Sequence, residues 1–350
     1  MRRIYASSIL KTVRRGGVIS RRYLLSIDGG GIRGIIPSVA LAGLEETTGR
    51  PARETFSFLA GTSTGAVIAA ALAAGVPASR ILRLYMERAG ELFPGYPLLN
   101  ALRRILSGHM YSIRRLRDLI AQEIGAARDW TLNDSPVDLL VTATRVPDGK
   151  PWYFVRDNPG NSGCTGRLGL VDCVTASAAA PTYFSPWTVR EGPERPERCE
   201  RVGTLVDGGV GVAGNPVYQA CIEAFYYSEG YAPGETTIVS LGTGRSVERQ
   251  YPAWIWPWFR WLLRELLESP GEQQTDLVWR HFPEATFYRI DAELEEEIRL
   301  DDAKSTGKLR EVGEYLTGLI DWEAILAGTD TTFRVDRVGK AFPRYAKLSP

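Results

Sequence analysis

The stretch Thr55-Phe56-Ser57-Phe58-Leu59-Ala60, then Gly61-Thr62-Ser63-Thr64-Gly65, then the alanine-rich run from Ala66 to Ala74, decides the fold. The first six residues read as a buried strand and the last run as a helix, with a tight turn between them. A serine hydroxyl is a weak nucleophile until it is exposed, oriented and given a base. A sharp strand-to-helix turn lifts its oxygen off the sheet, and the glycines at 61 and 65 let the chain make that turn beside a substrate carbonyl. The helix that follows aims its positive end at charge developing on the substrate. A serine N-cap in an ordinary strand–helix turn is the competing reading of the same five residues.

Working outward, Tyr23 to Ile27 reads as a strand and Ile35 to Thr48 as a helix with Pro37 in its first turn and Gly49 after it. Val137 to Thr144, Trp152 to Val155, Arg201 to Val206 and Thr236 to Leu241 read as further strands, and Val171 to Ala180 as a helix stopped by Pro181. Asn215 and Pro216 open another helix as N-cap and first helical residue. This alternation from Tyr23 to Gly244 predicts an α/β domain of three layers, α/β/α, around a mostly parallel sheet. Glycine clusters follow three of the strands, and in open α/β sheets ligands bind beyond the carboxyl ends of strands.

The first of those clusters is Asp28-Gly29-Gly30-Gly31-Ile32-Arg33-Gly34. Gly29, Gly31 and Gly34 satisfy GxGxxG, so a dinucleotide-binding module competes here. That module wants an acid at the end of the second strand, whereas Glu54 precedes its strand and Ser63 is left unexplained. The other reading is an oxyanion hole, in which the amides of Gly29, Gly30 and Gly31 point at a tetrahedral intermediate and Arg33 adds positive charge there or at a lipid phosphate. The third cluster is Asp207-Gly208-Gly209. Alone it is a turn; beside the other two it offers Asp207 as a base with Gly208 and Gly209 as its loop. The chain has only two histidines, His109 and His281. A Ser63–Asp207–His281 triad would follow the α/β-hydrolase chain order, but His281 sits in an aromatic stretch, and a Ser63–Asp207 dyad needs no histidine.

Composition narrows the field. Lys+Arg of 42 against Asp+Glu of 41 leaves a net charge of +1, which argues against a nucleic-acid polymer as partner. Nine Trp, 15 Tyr and 11 Phe exclude a disordered chain. No apolar run is long enough to span a bilayer. Cys164, Cys173, Cys199 and Cys221 are scattered without a CxxC pair, so four reduced thiols, no metal site and a cytoplasmic location are expected. Residues 1–21 form a basic tail carrying Arg2, Arg3, Lys11, Arg14, Arg15 and Arg21 without an acid. Its competing uses are none at all or attraction to anionic lipid at the inner membrane face. Trp254, Trp256, Trp258 and Trp261 crowd one short stretch, ahead of an apolar face from Phe259 to Leu267. A core helix or a membrane-docking surface both fit that pattern.

DGGGIRG at 28–34, GTSTG at 61–65 and DGG at 207–209 together resemble the patatin-like phospholipases. Ala176 to Phe184, Thr237 to Gly244 and Leu300 to Ala303 resemble the family as well. The resemblance implies a patatin-like acyl hydrolase domain over 22–303, with 304–350 as an extension packed on it. It implies Ser63 as nucleophile, Asp207 as proton acceptor, and Gly29, Gly30, Gly31 and Arg33 as the oxyanion site, with no cofactor and a membrane phospholipid as substrate. Bacterial members include effectors switched on by cyclic nucleotides, so an activating nucleotide enters as a further implied partner.

Overall fold

A computed structural model of the 350-residue chain describes residues 21–94, 108–159, 164–191, 197, 199–211, 213–246, 258 and 271–335. The strands of its main sheet are β1 (Arg22–Ile27), β2 (Phe58–Thr62), β3 (Asp138–Arg145), β4 (Pro151–Val155), β5 (Trp187–Thr188), β6 (Thr204–Asp207), β7 (Thr236–Leu241) and β8 (Thr286–Ile290). Hydrogen-bonded neighbours run β5-β6-β3-β2-β1-β7-β8, with β4 also paired to β3. The β3-β2-β1-β7-β8 core of the sheet is parallel, while β4, β5 and β6 join antiparallel.

Alternation within each strand splits the core in two. Leu25, Leu59, Leu139, Val239 and Tyr288 point into the larger core, which is covered by α1 (Ile35–Thr48), α2 (Thr64–Ala73), α3 (Ala78–Leu92), α4 (Ile113–Glu123) and α5 (Leu170–Ser177). Leu24, Phe58, Leu140, Ile238 and Phe287 point the other way, onto α6 (Val217–Ile222) and the helix over 271–281. This is the three-layer α/β/α arrangement. α7 (Thr306–Gly318) lies against α1 so closely that a Cβ on Gly313 would sit 2.9 Å from Val39, and it adds Leu309, Val312 and Leu316 to the larger core.

Two registers set the site. Leu140 pairs with Ala60 of β2 and with Val155 of β4, so β2 and β4 take opposite edges of β3. Ala143 pairs with Trp152 of β4 and with Asp207 of β6, so β6 takes the same edge as β2. Thr62 is the last β2 residue on that edge, opposite Thr142, and Asp207 comes next, opposite Ala143. Where the chain leaves the sheet at Ser63, Asp207 fills the place it vacates.

Three expectations need correction. β2 starts at Phe58 rather than Thr55, because Ala52–Thr55 forms a helical turn. The α6 helix starts at Val217, although Asn215 Oδ1 still accepts the Val217 N–H at 3.0 Å. Cys164 and Cys199 form a disulfide, with their Cα atoms 5.4 Å apart, which brings the loop after β4 against the segment entering β6. Only Cys173 and Cys221 are free thiols, both buried, so the compartment drawn from four reduced thiols no longer follows. Among the described residues no helix is long and apolar enough to cross a membrane. The basic tail to Ser20, Trp254, Trp256, Trp261 and the face from Phe259 to Leu267 lie outside the described residues. Trp258 is described and is half exposed, at 46%.

Candidate active site

Ser63 sits between β2 and α2 with φ 55° and ψ −121°, a left-handed backbone that non-glycine residues adopt only where surrounding structure enforces it. The enforcement is visible at the flanking glycines. A Cβ on Gly61 would lie 2.2 Å from the Gly65 carbonyl oxygen, and one on Gly65 would lie 2.2 Å from that of Ile27. Both clashes are with backbone, so neither position accepts a side chain without moving a strand. The Ser63 N–H donates to Ser177 Oγ at 2.9 Å, and its carbonyl accepts from Ala66 and Val67. The side chain is half-buried at the positive end of helix α2, which is buried except at Val67.

The register sets Ser63 beside Asp207, close enough that its hydroxyl favours the charged form of the carboxylate. Asp207 is 3% exposed, and its Oδ1 accepts the Gly209 N–H at 2.8 Å. Burial pushes its pKa up to about 6; the nearby Ser63 hydroxyl and the Gly209 N–H pull the other way. Its own N–H donates to Ala179 at 3.1 Å. The end of α5 therefore holds both partners, the serine through Ser177 and the aspartate through Ala179. A Cβ on Gly208 would lie 2.2 Å from Thr142 Oγ1, which explains the glycine after the aspartate.

The glycine loop closes over this pair. A Cβ on Gly29 would stand 3.4 Å from Ser63 Cβ, so the loop passes directly beside the serine. The expected oxyanion set is smaller than predicted. The Gly29 N–H is spent on Gly214 O at 2.9 Å, whereas no protein acceptor takes the N–H of Gly30 or Gly31 among the described residues. Gly31 has φ +57°, and a Cβ there would strike Leu300 O at 2.4 Å. Leu300 O in turn accepts the Ile32 N–H at 2.9 Å, which places the Leu300–Ala303 string over the loop. Arg33 is buried at 6% exposure and donates to Gly244 O at 3.2 Å, just past the end of β7.

The competing readings lose their geometry. His281 is exposed at the end of the 271–281 helix and its Nδ1 pairs with Tyr218 Oη at 2.7 Å, while Asp207 is engaged by Ser63 and Gly209. Glu54 is exposed and precedes β2, whose end carries Thr62 instead of a ribose-binding acid. No group of three or more His, Cys, Asp or Glu side chains is placed to hold a metal among the described residues. Ser177 and Arg289, both structurally central, escaped the sequence reading. The signal for Arg289 was a charged residue alternating into a buried strand, Phe287-Tyr288-Arg289-Ile290-Asp291.

A strand–elbow–helix serine, a neighbouring aspartate and a glycine loop with unused amides belong together in acyl transfer. Residues 25–221 match the family described as patatin-like phospholipase. The chain belongs to that family. It is 31% identical over 210 residues to a cGAMP-activated phospholipase of Escherichia coli strain TW11681, covering 58% of this chain and 55% of that one. It is 29% identical over 216 residues to the protein of the same name from Vibrio cholerae, covering 58% and 57%. Patatin-like protein 2 of Arabidopsis thaliana is 29% identical over 323 residues, covering 81% of this chain and 76% of that protein. The patatin-like chain described here thus spans little more than half the length of these two curated relatives.

Proposed function

We propose that this patatin-like chain is a phospholipase A-type acyl hydrolase working through a Ser63–Asp207 dyad. The observation that carries the reading is an elbow serine set beside a buried carboxylate by the strand register, next to a loop with two unengaged amides. Asp207 takes the Ser63 proton as Oγ attacks the ester carbonyl carbon, and the C=O electron pair moves onto oxygen. The N–H groups of Gly30 and Gly31 stabilise that oxyanion, aided by the α2 dipole. The intermediate collapses to an acyl-serine, and the leaving alkoxide takes the proton from Asp207. A water molecule then gives its proton to Asp207 and attacks the acyl carbon. Collapse frees the fatty acid and returns the proton to Ser63 Oγ.

Trp254, Trp256 and Trp258 supply interfacial docking, since tryptophan favours the headgroup region. An activating cyclic nucleotide is proposed from the names of the bacterial relatives. Fatty acid released from phospholipid vesicles tests the assignment. Wild type should release it, and folded Ser63→Ala should fall by at least about a thousandfold. Wild-type turnover by folded Ser63→Ala would overturn it. Trp254→Ala with Trp256→Ala should lower activity on vesicles and spare a short soluble ester; equal loss on both would make these tryptophans structural.

A further inference from the structure

A buried ionic cluster lies beside the pair just described and takes no part in the steps above. Ser26 of β1 pairs with Ser240 of β7, and Ser240 with Arg289 of β8, so these residues share one face of the sheet. Two residues on, Asp28 and Asp291 return to that face. Arg289 Nη1 donates to Asp28 Oδ1 at 3.0 Å and to Ser240 Oγ at 2.8 Å. Its Nη2 donates to Asp28 Oδ2 at 2.6 Å and to Asp291 Oδ2 at 2.8 Å. The three side chains are 6%, 12% and 6% exposed, so one guanidinium serves two carboxylates almost out of water. Burial pushes Asp28 up to about 6 even with Arg289 drawing it down.

Each carboxylate passes this order on. Asp291 Oδ1 accepts the N–H of Gly244 and of Ala292, both at 2.9 Å. Gly242 lies so close that a Cβ there would be 2.0 Å from the Asp291 carboxyl carbon. The Gly242-Thr243-Gly244 turn is thereby fixed, and Thr243 Oγ1 donates to Gly29 O at 2.7 Å. Asp28 immediately precedes Gly29. The glycine loop is gripped at its entry by Arg289 through Asp28 and at its first carbonyl by Thr243, whose turn hangs from Asp291 and so from Arg289.

We propose that Arg289 is a positioning residue for the oxyanion loop, fixing through Asp28, Asp291 and Thr243 where the N–H groups of Gly30 and Gly31 point. The proposal rests on the hydrolase reading above. Arginine suits the task because its planar fork binds two carboxylates at set angles, which an ammonium cannot do. Oxyanion donors act within a few tenths of an ångström, so a small tilt of the loop falls on the transition state and spares ester binding.

The test compares Arg289→Lys and Thr243→Val with wild type. The readouts are hydrolysis of a soluble acyl ester, inhibition by an acyl trifluoromethyl ketone and by the matching unreactive ether, and amide hydrogen exchange in residues 29–33. The ketone forms a tetrahedral oxyanion on the serine; the ether does not. Arg289→Lys should lose about ten- to a hundredfold in kcat and a similar factor in ketone affinity, with KM and ether affinity within about twofold. Exchange at 29–33 should quicken while α1 stays protected. Thr243→Val should show the same pattern, about three- to tenfold in size. If Arg289→Lys does not fold, Thr243→Val decides alone. Unchanged ketone affinity and loop exchange in the folded variants would overturn the proposal, as would equal losses for ketone and ether. A wild type inert on every ester, whose loop still loosens in the variants, would remove the hydrolase reading and keep the tie between Arg289 and the loop.

Discussion

The serine elbow and the glycine loop face each other across the site, and they are ordered in opposite ways. The elbow is fixed by its own backbone, since Gly61 and Gly65 leave no room for a Cβ against Gly65 O and Ile27 O. The loop is ordered from outside. Gly30 meets the Thr243 side chain, with a Cβ there 2.3 Å from Oγ1, Gly31 meets Leu300, and Asp28 is held by Arg289. One half of the site is therefore fixed by backbone packed tightly around a five-residue motif, and the other by residues more than two hundred positions away in the chain.

The largest effect should fall on the elbow. Gly65→Ala sets a methyl group against the end of β1, a backbone that cannot step aside. It should cost about 2–4 kcal/mol of stability in denaturant unfolding and at least about a hundredfold in ester turnover. Retention of near-wild-type stability would mean the elbow is looser than its contacts require. Gly30→Ala should cost about 2–3 kcal/mol, because rotation of Thr243 clears its Oγ1 but leaves its Cβ 2.6 Å from the new methyl group. Combining it with Thr243→Ala should recover part of that loss. A strictly additive double mutant would separate the two residues and weaken the view of the loop as held by its neighbours.

The buried carboxylates give the next test. Asp207 and Asp28 each have pKa values raised to about 6. A carboxyl whose folded pKa is raised contributes stability that is present below its unfolded value and is lost as pH rises through the folded one. Stability should thus decline between about pH 4 and pH 6.5 on account of these two groups. Asp207→Asn should unfold later than wild type at pH 7.5, by on the order of 2–3 kcal/mol, with the gap closing near pH 4. Its turnover should fall at least about a thousandfold, since an amide cannot take the serine proton. In the wild type, kcat/KM should drop on the acid side with a midpoint near pH 6. A profile flat down to pH 4.5 would contradict Asp207 as the base.

The smallest effect is expected at His281. His281→Ala should change turnover by less than about twofold, because the ring is exposed and bonded to Tyr218. A loss of a hundredfold or more would restore the triad.

The contrast between the two halves also explains what could be read without coordinates. The alternation of strands and helices gave the layers, because buried strands and glycine breaks are local signals. GTSTG placed the elbow because its two glycines, pressed against Gly65 O and Ile27 O, are visible in the motif itself. The loop was misjudged at Gly29, whose amide looked like a donor and is bound by Gly214 across the sheet. Arg33, legible as a charge near the loop, is buried with a bond to Gly244 O, a partner that only tertiary packing supplies. The Cys164–Cys199 disulfide joins positions with no spacing signal, and only the approach of two loops reveals it. Arg289 shows as a charge in a buried strand, but its role does not, because its partners arrive from the residues after β1 and β8.

Covalent trapping with a fluorophosphonate carrying a long acyl-like chain, followed by peptide mass spectrometry, tests the Ser63–Asp207 account most directly. The reagent should add once, on Ser63, in the wild type; Ser63→Ala should take no label, and folded Asp207→Asn should label at least about a hundredfold more slowly. A label on another residue, or equally fast labelling of Ser63 in Asp207→Asn, would contradict it.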